Sequence, residues 1–113
     1  MRLKVREADV LVQVRNLLSI YVNKGLLTYR RLNVGAVLRN GRFSKNREMQ
    51  GMPDLLIWVK GGQCLSWELK APTNGKQSPE QKRFQEELEQ LGHTYSIVHS
   101  AQEAMEILAA IPL

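Results

Sequence analysis

Cysteine is nearly absent from this chain of 113 residues, with Cys64 standing alone. An intrachain disulfide is excluded, and the usage suits a reducing cytosol. Histidine is scarce too: His93 and His99 alone make a poor case for zinc. No glycine-rich loop ending in Lys-Ser/Thr occurs, so P-loop nucleotide hydrolysis is excluded. No apolar run approaches the roughly 20 residues of a membrane helix, so no membrane partner is expected. The opening MRLKVREADV lacks the apolar core of a secretory signal. Acidic residues are also missing from a long stretch, with none between Asp9 and Glu48.

That stretch holds Arg15, Lys24, Arg30, Arg31, Arg39, Arg42, Lys45 and Arg47, within a net charge of +5. The later part is acidic instead, with Glu80, Glu86, Glu87, Glu89, Glu103 and Glu106 against Lys82 and Arg83. A one-sided basic surface attracts polyanions and speeds their encounter. A merely solvated basic face is the plainer alternative. Hydrophobic content of 43% and charged content of 24% are ordinary for a globular fold, and the length suits one domain over residues 1–113.

Residues 7–23 predict a helix, because Val10, Val14, Leu17, Leu18 and Tyr21 recur at helical spacing. Residues 26–34 suit a strand. Residues 35–51, rich in Gly, Arg, Lys and Asn, read as a long mobile basic loop, a common kind of binding element. Residues 54–60 and 63–70 read as two strands joined through Gly61-Gly62. Ser78-Pro79-Glu80-Gln81 announces a helix with a capping box, its buried stripe formed by Phe84, Leu88 and Leu91 and its end marked by Gly92. Residues 94–99 read as a short strand and 101–110 as a last helix. The order is α-β-β-β-α-β-α, an α/β fold without repeats or a second domain.

Asp54 stands at the mouth of the strand that follows Pro53, a residue that cannot donate to a sheet ladder. Glu68 and Lys70 are two apart on the returning strand and share a face, while Leu65, Trp67 and Leu69 take the other. A three-residue turn places Asp54 directly across from Glu68; a two-residue turn shifts the pairing by one. Directly opposed side chains have Cβ atoms about 4.5–5.5 Å apart. Two carboxylates so placed repel and raise each other's pKa. A hard divalent cation removes that conflict, taking one or two carboxylates plus waters and substrate phosphates. The set points to metal-assisted attack on a phosphodiester. Glu7 borders the first helix's buried stripe and could reach the site as a further acid, or simply favour the helix N-terminus. Gln81 either tends toward the sheet near Lys70 or serves its capping box.

Gly51-x-Pro-Asp54, Glu68-x-Lys70 and Gln81, with Glu7 on the leading helix and Asn33-Val-Gly35 on the first strand, resemble the PD-(D/E)xK nuclease superfamily. Within it they are similar to the virus-type replication-repair nuclease (VRR-Nuc) domain, over about Glu7 to Leu108. The resemblance implies a restriction-endonuclease-like fold, with a mixed sheet flanked by helices, and metal-dependent phosphodiester cleavage. It implies that Asp54, Glu68 and the backbone carbonyl of Leu69 hold Mg²⁺ or Mn²⁺, with Glu7 as an outer or second-metal ligand. Lys70 would orient or activate the attacking water and stabilise charge on the phosphate. Gln81 would help position Lys70 or the water. Some members of the family are domains of large repair enzymes, such as the Fanconi-anaemia-associated nuclease. The lack of accessory domains here resembles the stand-alone phage or bacterial form, associated with homodimers acting on branched DNA.

Arg39, Arg42, Lys45, Arg47 and Lys76 are then expected to grip the phosphate backbone. Such contacts position a substrate without reading its sequence, so selectivity for DNA structure, such as four-way junctions or flaps, is expected. Leu26, Leu27, Ile107, Leu108, Ile111 and Leu113 could form a self-complementary patch for a homodimer, or pack into the core. Two other classes remain open: a non-catalytic nucleic-acid-binding module, and an interaction protein using its acidic last helices.

Overall fold

A computed structural model describes residues 4–32, 37–39, 42–44, 49–73 and 75–113. Its elements are α1 (Glu7–Asn23), β1 (Leu27–Arg31), β2 (Val37–Arg39), β3 (Arg42–Ser44), β4 (Leu55–Val59), β5 (Cys64–Leu69), α2 (Pro79–Gln90), β6 (Thr94–Val98) and α3 (Ala101–Ala109). The main sheet has the order β1-β4-β5-β6. The first three strands are antiparallel, and β6 joins β5 in parallel through the α2 crossover. The sheet is therefore mixed and flanked by helices, in the α-β-β-β-α-β-α order expected, with one addition.

The addition is a hairpin. Residues 37–44, read as part of an irregular loop, contain β2 and β3 paired antiparallel from Val37↔Ser44 to Arg39↔Arg42. Asn40-Gly41 lies between them in sequence. That dipeptide is a strong two-residue hairpin signal, and the basic composition masked it.

Alternation along the strands decides which side chains meet α1 and α3 in the core. Leu55, Ile57 and Val59 on β4, with Leu65, Trp67 and Leu69 on β5, point to one side. Val10, Val14 and Leu18 of α1, and Ala104 and Leu108 of α3, join them in the core. Burying side chains of this size stabilises the fold by about 1.5–3 kcal/mol each. Leu27 belongs to the same core, and Ile107 and Ile111 pack against it. The expected end patch is thus not a free surface, since of its six residues Leu113 alone is exposed.

The crossover helix is less buried than expected. Phe84 and Leu88 are half-buried, no α2 residue is fully buried, and Leu91 is 75% exposed just past the helix end. Gly92 stops the helix at a φ of 87°, a left-handed conformation that a Cβ disfavours.

Candidate metal and phosphodiester site

The β4–β5 turn sets the site. Trp58 pairs with Cys64, and Val59 N–H donates to Gln63 O at 2.9 Å. Lys60, Gly61 and Gly62 are left as a three-residue turn, both glycines at positive φ. Continued past Leu55↔Trp67, this register puts Asp54 opposite Glu68. The β4–β5 pairing ends at Leu55↔Trp67, and Pro53 has no N–H with which to extend it. Asp54 repairs the gap with its side chain: Oδ2 accepts the Leu69 N–H at 2.7 Å. On the other edge, Asp54 O accepts from Leu32 N–H at 2.8 Å.

Glu68 is wholly buried. Its Oε1 accepts the Tyr95 hydroxyl at 2.6 Å and lies 3.5 Å from Gln77 Nε2. Its Oε2 has no hydrogen-bond partner among the described residues. Lys70 Nζ is 3.8 Å from that Oε2 and 3.9 Å from Glu7 Oε1. Both separations are ion-pair distances, longer than a hydrogen bond. A buried carboxylate oxygen without a donor is costly unless a cation compensates it.

Burial shifts the neighbouring carboxyls upward. Burial raises Glu7 above its ordinary range, and the charges of Asp54 and Glu68 add to the rise against Lys70. Burial also raises Asp54, opposed by the Leu69 N–H, Lys70 and Arg31. Burial, then the hydrogen bond to Glu68, pushes Tyr95 far above the usual phenol range, so its hydroxyl stays a donor.

Two openings flank Asp54. A cleft of about 140 Å³ is lined by Glu7, Ala8, Leu11, Arg31, Asp54 and Leu69. A broader one of about 360 Å³ lies toward the start of α2, with Gly51, Asp54, Ser78, Glu80 and Gln81 on its wall. Gly51 has a φ of 81°, and a Cβ there would collide with the Glu80 carbonyl. The glycine of the Gly51-x-Pro-Asp54 motif thus lets the chain pass close beneath α2 beside Asp54.

Asp54, Glu68, Lys70 and Glu7 are therefore brought together. Gln81 lines the broader opening, yet its hydrogen bonds complete the cap: Oε1 accepts from Ser78 N–H at 3.0 Å, and its own N–H donates to Ser78 Oγ at 3.1 Å. Lys76 is exposed just before α2. Arg39 and Arg42 lie on the β2–β3 hairpin, while Lys45 and Arg47 fall outside the described residues. Three contributors escaped the sequence reading. Tyr95 depends on the parallel β5–β6 register, and Gln77 on the loop before α2; neither left a local signal. Arg31 was visible only as one cation among many, yet it shares the smaller cleft with Asp54.

Among the described residues, no three His, Cys, Asp or Glu side chains lie close enough to hold a metal by themselves. The donors do fit a hard divalent cation, which uses one or two carboxylates and completes its shell with waters and substrate oxygens. Asp54, the open oxygen of Glu68 and the Leu69 carbonyl could hold one, with Glu7 as an outer partner. Also among the described residues, no helix is long and apolar enough to cross a membrane.

No family model matches the sequence. No curated protein matches it. A solved structure described as a "VRR_NUC domain" superposes with a TM-score of 0.68 and 21% identity, over 96% of this chain and 99% of that one. Asp54, Glu68 and Lys70 thus stand at adjacent strand ends of a chain that has the fold of a VRR_NUC domain.

Proposed function

We propose that this chain is a Mg²⁺- or Mn²⁺-dependent nuclease that hydrolyses phosphodiester bonds in DNA, selecting branched structures such as four-way junctions or flaps. The observation that carries this reading is Glu68 Oε2, a buried, donorless carboxylate oxygen beside Lys70 and on the strand opposite Asp54. The fold and the basic stretch up to Arg47 support it.

A cation bound there supplies Lewis-acid charge to the phosphoryl oxygens. Asp54 and Glu68 present oxygens to it from neighbouring strands. Lys70, held between Glu68 and Glu7, orients the attacking water and balances negative charge on the phosphate as the bond breaks. Arg31 faces the cleft beside Asp54 and offers a second positive charge to the DNA backbone. Arg39, Arg42, Lys45, Arg47 and Lys76 grip phosphates further along the strand.

A non-catalytic DNA-binding module is the rival reading. Such a module has no use for a buried carboxylate with an open oxygen. Paired incision of a symmetric junction needs two sites, and a two-fold dimer is the common way to provide them. Val12 and Ile20 are more than half exposed at positions i and i+8 of α1 and offer an apolar contact for a second copy.

The deciding experiment is cleavage of labelled duplex, flap and four-way DNA, with and without Mg²⁺ or Mn²⁺. Metal-dependent cutting of the branched substrates is expected. Binding without cutting in either metal would favour the rival. Light scattering showing only monomer, with and without a junction, would remove the dimer.

A further inference from the structure

Tyr95 lies on β6, paired with Ser66 in the parallel register that also pairs Ile97 with Glu68. It therefore shares Glu68's face of the sheet. Its buried hydroxyl donates to Glu68 Oε1 at 2.6 Å. Gln77 Nε2 approaches the same oxygen at 3.5 Å and is held by Gln85 Oε1 at 2.8 Å. Both groups converge on Oε1, and neither reaches Oε2.

The asymmetry bears on which ion the site accepts. A carboxylate free to swing can offer both oxygens to one cation. Ca²⁺ takes such two-oxygen grips readily and tolerates irregular shells. Mg²⁺ is smaller, demands near-octahedral geometry and keeps several waters. It is best served by one oxygen held in a fixed direction.

Resting on the metal-dependent reading above, we propose that Tyr95 is a positioning residue that sets metal specificity: its hydroxyl occupies Glu68 Oε1, so that Oε2 alone faces the cation and the site favours Mg²⁺ or Mn²⁺ over Ca²⁺. Gln77 reinforces the same constraint from the loop before α2. Neither side chain touches the substrate or the reacting atoms.

The test is direct binding of Mg²⁺ and Ca²⁺, each alone, to the intact chain by calorimetry, with Mn²⁺ followed by electron paramagnetic resonance. Tyr95→Phe keeps the ring and removes only the donor. Loss of an outer hydrogen bond to a metal ligand weakens affinity about 10- to 100-fold. Mg²⁺ affinity should fall in that range and Ca²⁺ affinity should fall less, so the preference narrows. The lost cleavage rate should return at higher Mg²⁺ concentration, which a purely structural defect would not show. Gln77→Ala, on a less buried side chain, should move the preference the same way by a smaller factor and covers a failure of the first variant to fold. Wild-type metal binding with unchanged Mg²⁺ and Ca²⁺ affinities in both folded variants would overturn the role of Tyr95 alone. Absence of any divalent-ion binding by the wild type would overturn the metal-dependent reading with it.

Discussion

The Asp54 carboxylate accepts the Leu69 backbone N–H at 2.7 Å across the β4–β5 pair, just beyond its last register pair, Leu55↔Trp67. One oxygen of Asp54 thus closes the sheet, and the other is left for chemistry. The side chain has a structural task and a charge-dependent one, and two substitutions separate them. Asp54→Asn keeps an oxygen to accept the N–H and should fold with little loss, yet fail to cleave DNA. Asp54→Ala should also be inactive and lose about 1–3 kcal/mol by orphaning a buried donor. Urea unfolding and cleavage rates in Mg²⁺ read the two effects. Wild-type cutting by Asp54→Asn would show that its charge takes no part.

Lys70 Nζ lies 3.8 Å from the open oxygen of Glu68, and its side chain is only 15% exposed. Removing one member of a buried ion pair leaves the other uncompensated and costs about 3–5 kcal/mol. Lys70→Ala should therefore lower both turnover and stability, with little change in DNA affinity. Added Mn²⁺ should raise its melting temperature more than that of the wild type, because a bound ion replaces the missing charge. A large loss of DNA affinity with normal single-turnover chemistry would reassign Lys70 to substrate grip.

The parts legible in the sequence are those fixed by local periodicity. Val10, Val14 and Leu18 mark α1 over the residues expected, and Ser78 with Gln81 marks the start of α2. Asp54 and Glu68 could be paired because a hairpin register follows from its turn length, although two lengths were open until Lys60–Gly62 proved to be three residues. Tyr95 was not legible: parallel strands are joined by a crossover whose length does not set their register. Leu91 carries the helical spacing of Phe84 and Leu88 but falls beyond the last turn of α2, where nothing covers it. Leu27 and Leu108 resembled surplus apolar residues, but strand alternation and helix phase turn both into the core.

The start of α3 provides a pH probe outside the site. Glu103 Oε2 accepts the His99 backbone N–H at 2.7 Å and lies 3.0 Å from His99 Nδ1. Partial burial would raise this carboxyl, but the hydrogen bonds from His99 outweigh it and hold it below its usual 4.5. A depressed carboxylate pKa contributes stability above the unfolded value, lost as pH falls through the folded one. Glu103→Gln should therefore be less stable than wild type at pH 7, and the difference should close as pH falls below about 4.5. Thermal melts across that range check it. A difference that does not change with pH would mean the charge of Glu103 is not involved.

The basic stretch should govern grip more than chemistry. Arg39 and Arg42 stand opposite each other in the β2–β3 register, and Lys45 and Arg47 follow in sequence without an acidic neighbour before Glu48. A phosphate backbone is the anion that such a run of cations attracts, and each contact releases condensed counterions. Neutralising the four residues to Gln should weaken binding to all DNA sequences alike. It should also flatten the plot of log affinity against log salt by about 0.9 per lost duplex phosphate contact. Cleavage at saturating DNA should stay close to wild type, since none of the four belongs to the Asp54–Glu68–Lys70 group. An unchanged salt slope would place the hairpin away from DNA and leave Arg31, beside Asp54, as the cation to test next.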